Sequence, residues 1–290
     1  MICQKGSRSL IVIDQIDREI NINFPIRRVV SLAPSITESI YALGAEELLC
    51  GVTEFCDYPK EAQLKPKIGG YSTVDIDRIN LALPDLILAS KIQYDRNMKS
   101  LEATHRPVLI LESSNLPGML KTIEILGQCS GKKAAVEMLI KSLNTRIESV
   151  TAKTKRLALN QRPRVYFLHE LETWKTFGAG TIGDELTDLA GGYNIGRDFG
   201  TGYPRPTLSE IARANPDIII AETGYGENPQ APFEKALNEP QLANVKAILT
   251  RQVYGVDSSL ISRAGPRMVD GLESLARIFY PSIFIAGHQL

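Results

Sequence analysis

Short runs of branched apolar residues alternate with amphipathic stretches along most of the chain. In "RRVVSLAPSITESIYALGA" the run Val29 to Leu32 reads as a buried strand. Ser35, with Glu38 three positions on, reads as a helix cap and capping box, and Gly44 as the helix stop. "LCGVTEF" follows as a second strand. Next come a short helix from about Asp75 to Leu83, the strand "DLILAS", another helix, and the strand "PVLILE" at Pro107 to Glu112. Strand and helix in strict alternation predict a parallel α/β sheet.

From Lys132 to about Leu159 the period changes. Ala135, Met138, Leu139, Leu143, Ile147 and Val150 recur at helical spacing, with neither Gly nor Pro between them. This predicts one helix of roughly 25 residues, about 40 Å long. The α/β pattern then resumes. Strand "RVYFL" (Arg164 to Leu168) leads to helix "GDELTDLAGG", helix "LSEIARAN" and strand "DIIIAE". A Gly- and Pro-rich loop, a helix, strand "QVYGVD" and a last helix, "PRMVDGLESLARIFY", complete the chain.

The two halves repeat each other. "LPDLILAS" (Leu83 to Ser90) returns as "NPDIIIAE" (Asn215 to Glu222). Thirteen residues before each Pro stands a Tyr, Tyr71 after "IGG" and Tyr203 after "GTG". Such loops fall at the carboxyl edge of a parallel sheet, where open α/β sheets bind ligands. The expected architecture is two Rossmann-like lobes, residues 9–130 and 160–290, each with a central parallel sheet. One long helix, 131–159, joins them, and a ligand cleft lies between them with one Tyr from each side.

Composition narrows the partners. Lys plus Arg and Asp plus Glu number 33 each, so no basic excess is present to hold nucleic acid. A small or uncharged ligand suits this balance. No apolar run reaches the roughly 18 residues that span a bilayer. "MICQKGSRSLIVID" holds a four-residue apolar run, too short for a signal-peptide core, so a signal segment is not expected in this sequence. Cys3 stands where a lipid-bearing Cys would follow a cleaved signal, though its context does not show such a site. Cys50 and Cys56 match no zinc spacing and read either as small buried residues or as a pair. His105, His169 and His288 lie far apart, which argues against a His-built metal site.

Several blocks together resemble a known family. "RRVVSLAPSITESIYALGA", "DYP", "IGGYSTVDIDRINLALPDLILAS", "AGGYNI", "YPRPTLSEIARANPDIII" and "SRAGPRMVDGLESLARIFYP" are similar, in order and from about Ser9 to Pro281, to the substrate-binding proteins of ABC importers. The subgroup has a rigid helix between its lobes and binds cobalamin, haem and ferric siderophores; the cobalamin binders are most alike. The resemblance implies an extracytoplasmic, monomeric carrier, periplasmic or anchored on the outer membrane face, that catalyses nothing and delivers its cargo to a membrane permease. It implies that Tyr58, Tyr71, Trp174 and Tyr203 form an aromatic clamp on a corrinoid (cobalamin or a precursor) and that Arg263 makes polar contact. Aromatic faces suit such a broad apolar disc, and Arg suits its amide carbonyls or phosphate. It further implies that Asp77 docks the permease on one lobe. The matching second position is Ser209, with Glu210 beside it as substitute; one helical step turns the side chain by about 100°.

Other cargoes and activities compete. Haem carriers of this group place a Tyr on the iron from the loop of Tyr71, normally with an Arg two residues later; here that residue is Thr73. A ferric siderophore fits the aromatics, but "SRAGPR" supplies only two Arg. "GAGTIG", Gly178 to Gly183, matches G-x-G-x-x-G, yet stands about nine residues past its strand where a dinucleotide site needs the turn at once. The alternative expectation for it is a helix start donating N–H groups to a ligand oxygen. "HELE", His169 to Glu172, is the acid/base or metal cluster that a tetrapyrrole metal chelatase would use.

Overall fold

A computed structural model describes residues 8–224 and 228–284; Cys3 and His288 lie outside them. The chain divides into two compact units, Met1–Ser142 and Leu143–Leu290.

The first unit opens on an antiparallel hairpin, β1 (Arg8–Ile13) and β2 (Glu19–Phe24), which the apolar pattern did not foretell. Buried Asp14 ties its turn down. That carboxylate accepts from the Ile16, Arg18 and Ile110 N–H groups and from the Arg18 guanidinium. The unit continues through β3 (Val29–Ser31), α1 (Pro34–Ala42), β4 (Leu49–Val52), α2 (Ile76–Leu81), β5 (Leu86–Ala89), α3 (Lys91–Glu102), β6 (Val108–Ile110) and α4 (Leu116–Ser130). Its sheet is parallel, in the order β4-β3-β5-β6. Helix α4 was not foreseen. Helix α1 starts one residue before the expected cap: Ala33 is the N-cap and Pro34 fills the first turn. Proline lacks the N–H that a cap would satisfy and presets helical φ, so Ser35 lies inside the helix, its carbonyl accepting from Ser39 Oγ. Gly44 ends the helix in left-handed backbone, as expected (φ 61°).

The second unit holds β7 (Arg164–Leu168), α6 (Ile182–Leu189), β8 (Tyr193–Asn194), α7 (Leu208–Ala214), β9 (Ile218–Thr223), α8 (Ala231–Asn238), α9 (Lys246–Leu249), β10 (Val253–Asp257), α10 (Ser258–Ile261), α11 (Met268–Phe279) and α12 (Pro281–Phe284). Its parallel sheet runs β10-β9-β7-β8. The order matches that of the first sheet strand for strand.

Between α4 and β7 runs α5 (Lys133–Thr154), 22 residues without a break and about 33 Å long. It stops five residues short of the expected Leu159, and the division between units falls inside it. Of the apolar stripe, Leu143 and Val150 are buried, whereas Met138 is largely exposed. At its amino end α5 closes on α4 through Gly127, where a Cβ would stand 2.1 Å from Val136 Cγ2. In its second half Arg146 forks onto Glu273 (Nε–Oε1 2.9 Å) and Asp270 of α11.

The Pro-Asp repeat has a structural cause. Asp85 accepts the Arg27 and Arg28 N–H groups (2.8 and 2.9 Å) and returns its own N–H to Arg28 O. Asp217 does the same one unit later, accepting Arg164 N–H at 2.8 Å and donating to Arg164 O. Arg28 and Arg164 in turn donate to the carbonyls of Ala82 and Ala214 at the ends of α2 and α7. Leu83 and Asn215, between helix and Pro, both take left-handed backbone (φ 46° and 47°). Each copy thus staples the start of one central strand to the start of its neighbour.

Two outcomes follow. Asp217→Ala leaves the Arg164 N–H and the Lys246 ammonium (2.7 Å from Oδ1) without their acceptor, and should cost about 1–3 kcal/mol in urea unfolding. Arg146 holds the Glu273 carboxyl below its usual range, chiefly through their hydrogen bond. A lowered folded value stabilises above the unfolded one and is lost as pH falls through the folded one. Arg146→Met should therefore cost about 1 kcal/mol at pH 7, and the gap from the native protein should narrow as pH falls below the ordinary carboxylate range, as urea unfolding at a series of pH values would show.

Candidate functional site

In the first unit the loops at the carboxyl edge of the sheet carry the exposed aromatics. Tyr58 is 45% exposed and Tyr71 36%. The loop of Tyr58 is drawn tight by Lys67, whose ammonium donates to the carbonyls of Thr53, Cys56 and Ala62 at 3.2–3.4 Å. Cys56 lies buried between the hydroxyls of Thr37 and Thr53, 3.2 Å from each. Cys50, Cys56 and Cys129 are all free thiols.

Tyr71 sits on a turn closed by Gly69 (φ 103°), where a Cβ would strike the backbone of Thr73 and Asp75 at 2.8 Å. Gln93, fully buried at the start of α3, accepts from Ser90 N–H and Oγ and donates to Leu32 O and Tyr71 O. With the Ser90 hydroxyl committed to Gln93, the Tyr71 hydroxyl donates to Ser90 Oγ at 3.2 Å. Phe55, unremarked in the sequence, is half-exposed and lies against this turn: a Cβ on Gly70 would be 3.7 Å from its ring.

The second unit builds its edge around Tyr203, 47% exposed. The Tyr203 ring stacks on His169 (centroids 5.2 Å, planes 29° apart), beside Phe177 at 5.9 Å and the Lys175 ammonium at 5.6 Å. His169 Nδ1 lies 2.7 Å from Glu222 Oε1, and Ser262 Oγ donates to Glu222 Oε2 at 2.5 Å. Burial pushes the Glu222 carboxyl above its ordinary range, against the pull of the His169 and Ser262 hydrogen bonds. Arg263, half-buried, follows Ser262 in the loop between α10 and α11.

The glycine loops serve this edge through backbone contact. Gly178 N–H donates to Gly202 O, Ala179 N–H to Gly200 O and Gly202 N–H to Ala179 O. A Cβ on Gly178 would stand 2.4 Å from Gly200 O, so the two loops pack as closely as glycine alone permits. Within "GAGTIG" two of the N–H groups are used locally: Gly180 N–H goes to Asp184 and Thr181 N–H to Gly178 O. "HELE" is likewise taken apart. Glu170 binds Thr173, Lys175 and Arg205 at the surface, and the partner of His169 is Glu222 on β9, which sequence proximity did not reveal. Among the described residues no three His, Cys, Asp or Glu gather as a metal site.

Trp174 differs most from expectation. It is 7% exposed and packed in the core of the second unit with Tyr166, Ile195 and Ile211. The tight turn from Glu170 to Lys175 puts Trp174 in left-handed backbone (φ 52°); its carbonyl accepts the Tyr166 hydroxyl and Lys235 lies over its ring. Asp77 is exposed at the second position of α2 and lines a shallow groove with Asn80, Leu81 and Leu83. Its counterpart on α7 is Ser209. Glu210 is exposed but engaged, its carboxylate accepting from Thr207 N–H and Oγ1 at 2.7 and 2.8 Å in a capping box.

Two repeated parallel sheets, their loops carrying exposed aromatics at the carboxyl edges, define a two-lobed α/β protein. Residues 29–260 match the model of the periplasmic binding protein family, and the chain belongs to that family of ABC transporter substrate-binding proteins. It is 28% identical over 277 residues to an uncharacterized ABC transporter substrate-binding lipoprotein, YvrC, of Bacillus subtilis, covering 93% of this chain and 85% of that one. It is 24% identical to the vitamin B12-binding protein of Vibrio cholerae (87% and 88% covered). Similar solved structures include the molybdate-binding protein MolA of Haemophilus influenzae (TM-score 0.85, 19% identity, 96% and 94% covered). The haem-binding protein RhuT of Roseiflexus sp. RS-1 (0.77, 24%, 88% and 98%) and the vitamin B12-binding protein BtuF of Vibrio cholerae (0.76, 24%, 91% and 99%) are similar too. At these identities the solved structures carry the fold alone.

Burial pushes the Cys129 thiol up to about 12. The native protein at pH 8 should leave Cys129 unalkylated by iodoacetamide and label it only after unfolding, as peptide mass spectrometry would show.

Proposed function

We infer that this protein is the extracytoplasmic carrier of an ABC importer and that its cargo is a corrinoid, cobalamin or a precursor. The observation that carries this reading is the pairing of Tyr71 and Tyr203, at equivalent places of the repeat, each exposed and each braced by buried polar groups. Tyr58 and Phe55 add ring surface in the first unit, and Arg263 adds donors in the second. The likeness to vitamin B12-binding proteins over most of the chain supports corrinoid over the other cargoes. Trp174, closed into the core, supports the fold of its loop. Haem is the second reading, in which Tyr71 would serve as the iron ligand; a ferric siderophore is the third.

Asp77 is the proposed docking carboxylate, set among the exposed Leu81 and Leu83. Glu210 already caps α7, so the second unit meets the permease with a different charge arrangement.

Calorimetry against cyanocobalamin, cobinamide, haemin and a ferric siderophore tests the cargo. A corrinoid should bind most tightly, and Tyr71→Ala should weaken it by roughly 1–3 kcal/mol. Tight haemin binding with a tyrosinate–iron spectrum that Tyr71→Phe abolishes would replace the corrinoid reading with haem. Asp77→Arg should leave cargo affinity unchanged and lower uptake when the carrier is paired with its permease in vesicles.

A further inference from the structure

Glu222 is the counterpart of Ser90 in the repeat, and both anchor the tyrosine of their unit. Ser90 meets the Tyr71 hydroxyl directly at 3.2 Å. Glu222 reaches Tyr203 through the His169 ring. The register explains the arrangement: Leu168 pairs with Ala221, so His169 and Glu222 leave β7 and β9 side by side. Glu222 has a second arm. Its other oxygen holds Ser262, whose neighbour is Arg263. One carboxylate, 5% exposed, is thus bonded to His169, on which the Tyr203 ring stacks, and to Ser262, which precedes Arg263.

We propose that Glu222 is a positioning residue for the ligand site, holding Tyr203 through His169 and Arg263 through Ser262. This rests on the reading of Tyr203 and Arg263 as ligand contacts. Both carboxyl oxygens are hydrogen-bonded, one to His169 and one to Ser262, so the two arms share one anchor and loosening it disturbs both. Lys175 also acts on this carboxyl through its charge, but its ammonium pairs with Glu170.

The test has two parts. In the free protein, stacking on His169 shifts the Tyr203 ring protons in NMR; Glu222→Gln should reduce that shift while the thermal transition remains cooperative. An unchanged Tyr203 signal would overturn the proposal. In calorimetry with cyanocobalamin, Glu222→Gln should weaken binding about tenfold in the native background, yet less than about twofold when Tyr203 and Arg263 are already Ala. Ser262→Ala should couple to Arg263→Ala and add independently to Tyr203→Ala. Losses that add in every background would mean Glu222 acts on stability alone and would also overturn it. Failure of the native protein to bind any of the four ligands sinks the cargo reading instead and leaves the NMR arm to decide the role of Glu222.

Discussion

A carboxylate at the amino-terminal end of each sheet sets the geometry of everything beyond it. Asp85 and Asp217 exchange backbone hydrogen bonds with the start of the neighbouring central strand, and the Arg that opens that strand returns to the end of the preceding helix. A slip of one residue in a strand turns every side chain to the opposite face. By pinning β3 to β5 and β7 to β9, these staples decide which residues emerge at the far edge. In the second unit that choice brings His169 beside Glu222; in the first it delivers Ser90 to Gln93 and Tyr71.

The same staple explains why the repeat was visible in the sequence. Pro-Asp followed by branched apolar residues is a local requirement, written wherever the staple is used, and the longer strands of both sheets fell where the pattern put them, whereas the two-residue β8 was not foreseen. The short hairpin β1–β2 was missed although "EININF" alternates: exposed Ile11 and Ile13 turn β1 into an unbroken apolar run, and the turn depends on Asp14 reaching Ile110, far along the chain. Helix α1 was displaced because Pro34, rather than Ser35, satisfies its first turn.

The candidate site was legible in part. Tyr71 and Tyr203 sit on exposed loops, as their Gly-rich neighbours at a sheet edge suggest, and Tyr58, which only the family resemblance singled out, is exposed as well. Trp174 was misleading, because its direction depends on a left-handed turn and on Lys235, neither of which the local sequence declares. The supporting shell escaped altogether. His169 and Glu222 are joined by strand register, and Gln93 gathers Leu32, Tyr71 and Ser90 from three separate segments. Reading "HELE" as a cluster grouped His169 with Glu170, whose partners are Thr173, Lys175 and Arg205, and left out the buried Glu222.

Backbone clasping of the two glycine loops bears on how this edge adapts to a guest. With Gly178 and Ala179 bonded to Gly200 and Gly202 at van der Waals closeness, neither loop travels without the other. In the ligand site proposed above, adjustment to a guest then falls to the side chains that these loops carry rather than to the loops moving apart.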